Sequence, residues 1–207
     1  MNVKRLFFHP LYCNTYLLSI GDKAVLIDPG YPDPKVFESA LEAEKANLIG
    51  IFVTHGHYDH FSALASWNIT AKIPLFFPKK DALCLVDSSL NVSRLFLGRD
   101  VLFPDLHPHW VEEGEIECGP FRFEVIETPF HTRGSVCYFY KSGPWLFSGD
   151  TLFQGSIGRS DLPGGCPEDI SSSLAWLAKL PKETRVFPGH GSETTIGAEL
   201  EANPFFS

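Results

Sequence analysis

The sequence lacks a membrane-spanning segment and a secretory signal. No stretch approaches about 18 consecutive apolar residues, the length that a transmembrane helix needs. The apolar run near the N-terminus is short and is broken at His9-Pro10, and no small-residue cleavage site follows it. We therefore expect neither a membrane span nor export.

Cysteine pairs and clusters of basic residues are also missing. The five cysteines are scattered, and none of them forms a CxxC pair. This usage is typical of free thiols in a reducing compartment, which predicts a cytoplasmic protein without a disulfide framework. The net charge is -8 and no run of Lys or Arg is present, so the composition disfavours nucleic-acid binding.

What the chain does contain suits one globular domain over residues 1–207. A length of 207 residues can bury a core without disulfides, and 44% hydrophobic with 20% charged residues is an ordinary globular composition. No Gly/Ser linker or internal repeat divides the chain. We expect a monomer or weak homo-oligomer that acts on a small-molecule substrate.

Short apolar runs alternate with amphipathic segments along the chain. The segment 91–105 shows no clear pattern and is expected to be irregular, and the tail from Gly197 is expected to hold one helical turn and then coil. This order of elements fits two mixed sheets covered by helices. Helices are predicted at 35–45, 60–67, 81–86 and 167–180, and strands at 3–8, 14–20, 23–28, 48–53, 73–77, 115–118, 121–127, 135–140, 145–147 and 185–187.

The strongest local signal is a run of ligand-type residues after the apolar run that ends at 53. Its members are His55, His57, Asp59 and His60. Imidazole nitrogens and carboxylates are the groups that divalent transition metals prefer. His55 and His57 can point the same way from an extended backbone, whereas Asp59 and His60 fall in the next turn. The spacing therefore indicates two metal ions side by side.

Three more ligand-type residues follow predicted strands. His131, Asp150 and His190 each come just after an apolar run and a glycine or proline. Each alone is typical of an ordinary polar residue, but together they match the way a rigid scaffold offers ligands to one cleft from several strand ends. The other histidines are interpreted as structural or surface-loop residues: His9, His107 and His109.

These motifs together resemble the metallo-β-lactamase superfamily, over most of the chain. Within it, longer strings resemble the glyoxalase II-like hydrolases. The resemblance implies an α/β fold, a four-layer αββα sandwich of two mixed sheets flanked by helices, with a binuclear metal site between the sheets. The strings are GDTLF at 149–153, GSIGRSDL at 155–162, PGHG at 188–191, TTIG at 194–197 and NPF at 203–205.

The resemblance also implies how the ligands divide between two divalent ions. Zinc is the first candidate, with iron or manganese as alternatives. Asp28, in IDPG at 27–30, matches a family position near the ligands, where it either fixes a ligand histidine or is a plain turn residue. The ligands would be His55, His57 and His131 for the first ion, Asp59, His60 and His190 for the second, and Asp150 as the bridge.

The implied activity is metal-dependent hydrolysis of thioesters, of the hydroxyacylglutathione type or of related acyl compounds. A water between two cations held by groups such as Asp59 and Asp150 loses a proton near neutral pH and becomes the nucleophile. The alternative on this scaffold is a persulfide dioxygenase, an oxidoreductase with one iron. The missing export signal argues against a β-lactamase, and the seven filled ligand positions argue against a scaffold without catalysis.

The sequence departs from the glyoxalase II pattern at several places, among them PGHGS instead of PGHEY at 188–192 and Cys166 where relatives often have an acidic residue. It ends soon after His190, whereas those enzymes carry a further helical region that helps to bind glutathione. At 129–134 the usual PGHTPG is replaced by PFHTRG, which puts Phe130 where a glycine is usual and adds Arg133 near the predicted mouth. We expect Arg133 either to hold an anionic group of the substrate or to be a solvated surface residue.

Overall fold

The first half of the chain forms a mixed β-sheet. The computed structural model describes residues 1–6, 12–67, 69 and 72–206. The first three strands of this sheet are antiparallel and the next three are parallel, and the sheet order follows the chain order. The strands are β1 (Asn2–Leu6), β2 (Thr15–Ile20), β3 (Lys23–Ile27), β4 (Asn47–Phe52), β5 (Leu75–Pro78) and β6 (His109–Val111).

The second half forms another mixed sheet, in the order β14-β13-β10-β9-β8-β7. Its first four strands in the chain form an antiparallel meander, and β13 then adds to β10 in parallel. Two short strands, β11 (Leu152–Phe153) and β12 (Ser156–Ile157), pair apart from this sheet. The sheet strands are β7 (Gly114–Cys118), β8 (Phe121–Glu127), β9 (Val136–Tyr140), β10 (Trp145–Gly149), β13 (Arg185–Pro188) and β14 (Thr194–Thr195).

The helices cover the outer faces of the two sheets. Helix α1 (Lys35–Glu44) packs Phe37 against the first sheet, and α3 (Ile170–Leu177) and α4 (Ile196–Ala202) pack on the second. The alternation of side chains along β3 divides the core, because Leu26 faces α1 while Ile27 faces the second sheet. Three apolar layers result, and the expected four-layer αββα sandwich is confirmed.

Several local expectations differ from the structure. The segment 91–105 contains a short helix, α2 (Ser93–Leu97), because the Asn91 amide bonds to the carbonyls of Cys84 and Val101 and closes the segment. The stretch 60–67 is a pair of 3-10 turns rather than a helix, and 79–85 is also 3-10. The tail forms α4, about two turns long, before a final 3-10 turn at 204–206.

The histidines outside the ligand pattern also need one correction. His109 was expected in a surface loop but begins β6, where backbone pairing with β5 continues the sheet. The end of the first predicted strand at 7–8 and His9 lie outside the described residues. None of the described helices has the length and apolar character that crossing a bilayer requires.

The two sheets are joined at the edge where the ligand-bearing loops emerge. The Tyr138 hydroxyl donates to the carbonyl of Val53 over 2.8 Å, and the Val136 N–H donates to the carbonyl of Thr54 over 2.9 Å. On the other side, the Asn14 N–H donates to the carbonyl of Gly189. These bonds fix the end of β4 against the second sheet, so loops of both sheets meet at one place.

Phe52 tests the packing between the sheets. Its ring is fully buried, stacks on Phe76 and meets the edges of Phe123 and Tyr138. We expect Phe52→Ala to lower the free energy of unfolding by about 3–5 kcal/mol, because the cavity cannot close between two sheets. Denaturant unfolding measures the change, and Trp110→Ala, at a half-exposed aromatic ring, should lose far less. Equal losses for the two variants would contradict this assignment of the core.

Candidate metal centre

The loop after β4 presents four ligand-type side chains into one cleft. His57 has an extended backbone, and the 3-10 turn over Tyr58–His60 follows it directly. The change from extended chain to turn separates His55 and His57 from Asp59 and His60, as the spacing indicated. The three histidines of this loop are buried.

The structure brings all seven predicted ligands together. Two compact triplets form, within each of which the ligand atoms lie no more than 4.8 Å apart: His55 with His57 and His131, and Asp59 with His60 and His190. His131 comes from the loop after β8 and His190 from the loop after β13. Each triplet therefore combines residues from the two halves of the chain.

Asp150 lies between the two triplets, directly after β10. Its Oδ1 is 3.3 Å from Nε2 of His60, and its Oδ2 is 3.5 Å from Nε2 of His131 and 3.7 Å from Nε2 of His190. Within the second triplet, Asp59 Oδ2 lies 3.3 Å from His190 Nε2. One carboxylate thus faces ligand atoms of both triplets.

Several of these atoms are buried without a hydrogen-bond partner. They are Nε2 of His55, His57, His60 and His131, and Oδ1 of Asp150. Buried polar atoms are almost always bonded in native proteins, so a group of such atoms at one point fits a site that would bind a cation. The donor set, imidazole nitrogens with carboxylates, fits a divalent transition metal.

The pKa shifts of His55, His57 and Asp150 favour the same interpretation. Burial lowers the pKa of His57 to about 3 and holds the pKa of His55 well below its usual value, so both rings are neutral and keep a lone pair for a ligand. Burial alone would raise the pKa of Asp150, but His190 and His60 outweigh it and hold this pKa well below the ordinary range. The Asp150 carboxylate, which faces both triplets, is therefore ionised.

Neighbouring groups fix the orientation of the ligand rings. Asp28 Oδ2 lies 2.9 Å from Nδ1 of His60, and its carboxylate also accepts bonds from the backbone N–H and the hydroxyl of Thr54, each over 2.8 Å. The Arg159 carbonyl lies 2.6 Å from Nδ1 of His131. Each contact uses the far nitrogen of a ring and leaves Nε2 for the cleft.

A buried carboxylate that the sequence interpretation missed holds two ligand loops together. Asp81 accepts bonds from the Gly56 N–H at 2.7 Å, the Gly134 N–H at 2.8 Å and the Thr132 hydroxyl at 2.6 Å. Burial raises the pKa of Asp81, and these three donors act against that rise. A Cβ at Gly134 would lie 2.5 Å from Asp81 Cγ, so the loop approaches this closely only with glycine. Asp81 is a positioning residue for the loops of His55, His57 and His131.

The residues that depart from the family pattern take ordinary positions. Phe130 is fully buried in the core beneath α3, and its backbone stays outside the left-handed region. Arg133 is exposed. The cavity of about 510 Å³ above the ligands includes Arg159 among its lining residues, and Arg133 is not one of them. The role of Arg133 in holding substrate stays a prediction.

The chain matches known proteins over nearly its full length. Residues 9–190 match the family model described as the metallo-beta-lactamase superfamily. A probable metallo-hydrolase, YqgX of Bacillus subtilis (strain 168), is 36% identical over 100% of this chain and 98% of its own length. Hydroxyacylglutathione hydrolase GloC of Haemophilus influenzae is 33% identical over 89% of this chain and 87% of its own length.

Solved structures show the same similarity. BLEG-1 B3 metallo-beta-lactamase superimposes with a TM-score of 0.93 at 37% identity, with 100% of both chains covered. TTHA1623 in a di-iron-bound form superimposes with a TM-score of 0.85 at 38% identity, over 98% of this chain and 100% of that one.

Asp81→Asn tests the positioning role. Asparagine replaces one carboxylate oxygen of Asp81 with an NH2 donor, which would face an N–H or hydroxyl donor. We therefore expect the free energy of unfolding to fall by about 1–3 kcal/mol. Divalent-metal affinity should fall by about 10–100-fold, because the loops of three histidines lose their anchor. Calorimetry measures both quantities, and Asp105→Asn at an exposed site is the matched control. Unchanged metal affinity in Asp81→Asn would disprove the role.

Proposed function

The chain belongs to the metallo-β-lactamase superfamily, and from that membership and its ligand cluster we propose that it is a thioester hydrolase that holds two divalent ions. The observation that carries the proposal is the position of Asp150, whose two oxygens face His60 and His131 at 3.3 and 3.5 Å. A single carboxylate between two triplets of ligands is the arrangement that a pair of neighbouring cations requires.

Each triplet would hold one ion, with Asp150 shared between them. Zinc is the first candidate on ligand type, and the similar protein with a di-iron-bound form supports iron as the alternative. When bound, such ions would supply Lewis acidity, which lowers the pKa of a water molecule so that it can act as hydroxide toward a carbonyl near neutral pH. Asp28 and the Arg159 carbonyl keep the ligand rings oriented for this task.

Thioesters are supported by the leaving group and by one relative. Hydrolysis forms a C–O bond, breaks the C–S bond and releases a thiolate with the electron pair. Because a thiol has a pKa of only about 8.5, its thiolate can leave without being protonated by the enzyme. No further acid is therefore needed in the cleft. The Haemophilus influenzae relative is named as a hydroxyacylglutathione hydrolase, and the glyoxalase II-like strings at 149–162 and 188–205 belong to the same class.

One comparison favours a second candidate. The TM-score of 0.93 to a B3 metallo-beta-lactamase supports β-lactam hydrolysis, in which the same site would attack an amide carbonyl instead of a thioester. The persulfide dioxygenase alternative differs in metal content, since it needs one iron and consumes oxygen. Metal content and substrate choice therefore separate the three activities.

Metal stoichiometry is the first test. We expect two divalent ions per zinc-loaded chain by elemental analysis, and about one in His57→Ala or His190→Ala, because each variant removes a ligand from one triplet. His109→Ala, at an exposed histidine on an edge strand, is the matched control and should retain two. A single iron in the wild-type chain purified from cells supplied with zinc and iron would contradict the binuclear site.

Substrate choice is the second test. The zinc-loaded chain should hydrolyse S-acetyl-N-acetylcysteamine or S-lactoylglutathione faster than the β-lactam nitrocefin, as measured by kcat/KM. Asp150→Ala should lower kcat/KM more than about a hundredfold, since residues behind the ligands already contribute about 10–100-fold. Hydrolysis of nitrocefin alone would favour the second candidate. Oxygen uptake on glutathione persulfide without thioester cleavage would favour the dioxygenase.

A further inference from the structure

Exposed apolar side chains are concentrated in one segment of the chain. Nine large hydrophobic residues are exposed in the described part of the chain, and six of them lie between 83 and 102. Two of them, Phe96 and Leu97, also line the cavity above the ligands, and an exposed apolar patch at a cavity marks a site that contacts an apolar group. The six are Leu83, Val86, Leu95, Phe96, Leu97 and Leu102.

The segment that carries them is fixed in place. The carbonyl of Asn91 accepts from the Tyr58 N–H, which connects the segment to the metal-ligand loop. Arg94 donates two bonds to Asp100, both over 2.9 Å, and so closes the segment around α2. Val92, which lies between Asn91 and Arg94 in the chain, has a φ of 58°, a conformation disfavoured for a β-branched residue. The apolar surface is therefore preformed.

Part of this surface forms a wall of the cavity above the ligands. Val92, Phe96 and Leu97 line the cavity on the side of α2. Phe153 and Leu162 line it too, and the Phe153 ring meets the edge of His190, with ring centroids 6.3 Å apart. The apolar wall therefore continues to the metal ligands.

The wall of this cavity offers few cationic side chains to an anionic ligand. Among the described lining residues, Arg159 is the one arginine, and no lysine is present. Its guanidinium donates two bonds to Asp161, each over 2.7 Å, so its charge is already paired. Glutathione carries two carboxylates, which find little to bind on such a wall.

We propose that the cavity takes thioesters whose acyl part is an apolar chain, which lies along Phe96 and Leu97 while the thioester carbonyl faces the metal ligands. This specificity rests on the proposed thioester hydrolysis. Water supplies the new C–O bond, the C–S bond breaks, and the products are a carboxylate with the apolar chain and a free thiol. Phe96 is 55% exposed in the free protein, so a bound chain removes apolar surface from water on both partners.

A chain-length series tests the proposal. Straight-chain N-acetylcysteamine thioesters from acetyl to dodecanoyl share one neutral thiol and differ only in the acyl chain. With the zinc-loaded chain we expect kcat/KM to rise by about two- to fourfold per methylene until the wall is covered. In Phe96→Ala/Leu97→Ala the ratio of kcat/KM for decanoyl over acetyl should fall at least tenfold. Leu95→Ala, at a residue 61% exposed on the same helix but outside the cavity lining, should keep the wild-type ratio.

A binding measurement separates the two proposals. S-decyl-N-acetylcysteamine, a thioether that cannot be hydrolysed, should bind by calorimetry more tightly than its S-ethyl analogue, and Phe96→Ala/Leu97→Ala should remove the difference. Thioester hydrolysis with no dependence on chain length, or a preference for S-lactoylglutathione over decanoyl thioester, would overturn the apolar specificity alone. Thioether binding without hydrolysis of any thioester would overturn the proposed function and retain the apolar subsite. Failure of both measurements would overturn both.

Discussion

A buried polar atom without a partner destabilises a folded protein by about 1–3 kcal/mol, and five such atoms surround the cleft between the two sheets. The fold holds them there through groups that contact the far sides of the ligand loops. Asp28 fixes His60 and Thr54, and Asp81 fixes the loops at Gly56 and Gly134. The native chain therefore keeps a preformed site whose nitrogen and carboxylate atoms a bound cation would satisfy.

The sequence predicted the parts of this site that are local in the chain. The motif at 54–60 and the ligand-type residues after later strands need only strand periodicity and metal-ligand chemistry to be recognised. The structure places all of them around Asp150. The order of short apolar runs and amphipathic segments predicted two mixed sheets covered by helices, and the resemblance to the metallo-β-lactamase superfamily implied the four-layer sandwich.

The parts that escaped prediction depend on long-range contacts. Asp81 looks like any polar residue at the start of a helical segment, and its partners are backbone groups 25 and 53 residues away. Helix α2 follows a left-handed Val92, a conformation that no propensity scale favours for valine. His109 joins the sheet through backbone pairing, which its residue type does not predict. Fold membership likewise shows a metallo-hydrolase, while the substrate depends on the residues that line this one cavity.

Each ligand triplet draws on both halves of the chain, and this has a mechanical consequence. His55 and His57 leave the first sheet while His131 leaves the second, and Asp59 and His60 face His190 across the same seam. Bound ions would cross-link the two sheets and close long loops of the chain. Metal binding would therefore also make the two halves fold as one cooperative unit. Without the ions, the contact between the two sheets would weaken before either sheet unfolds.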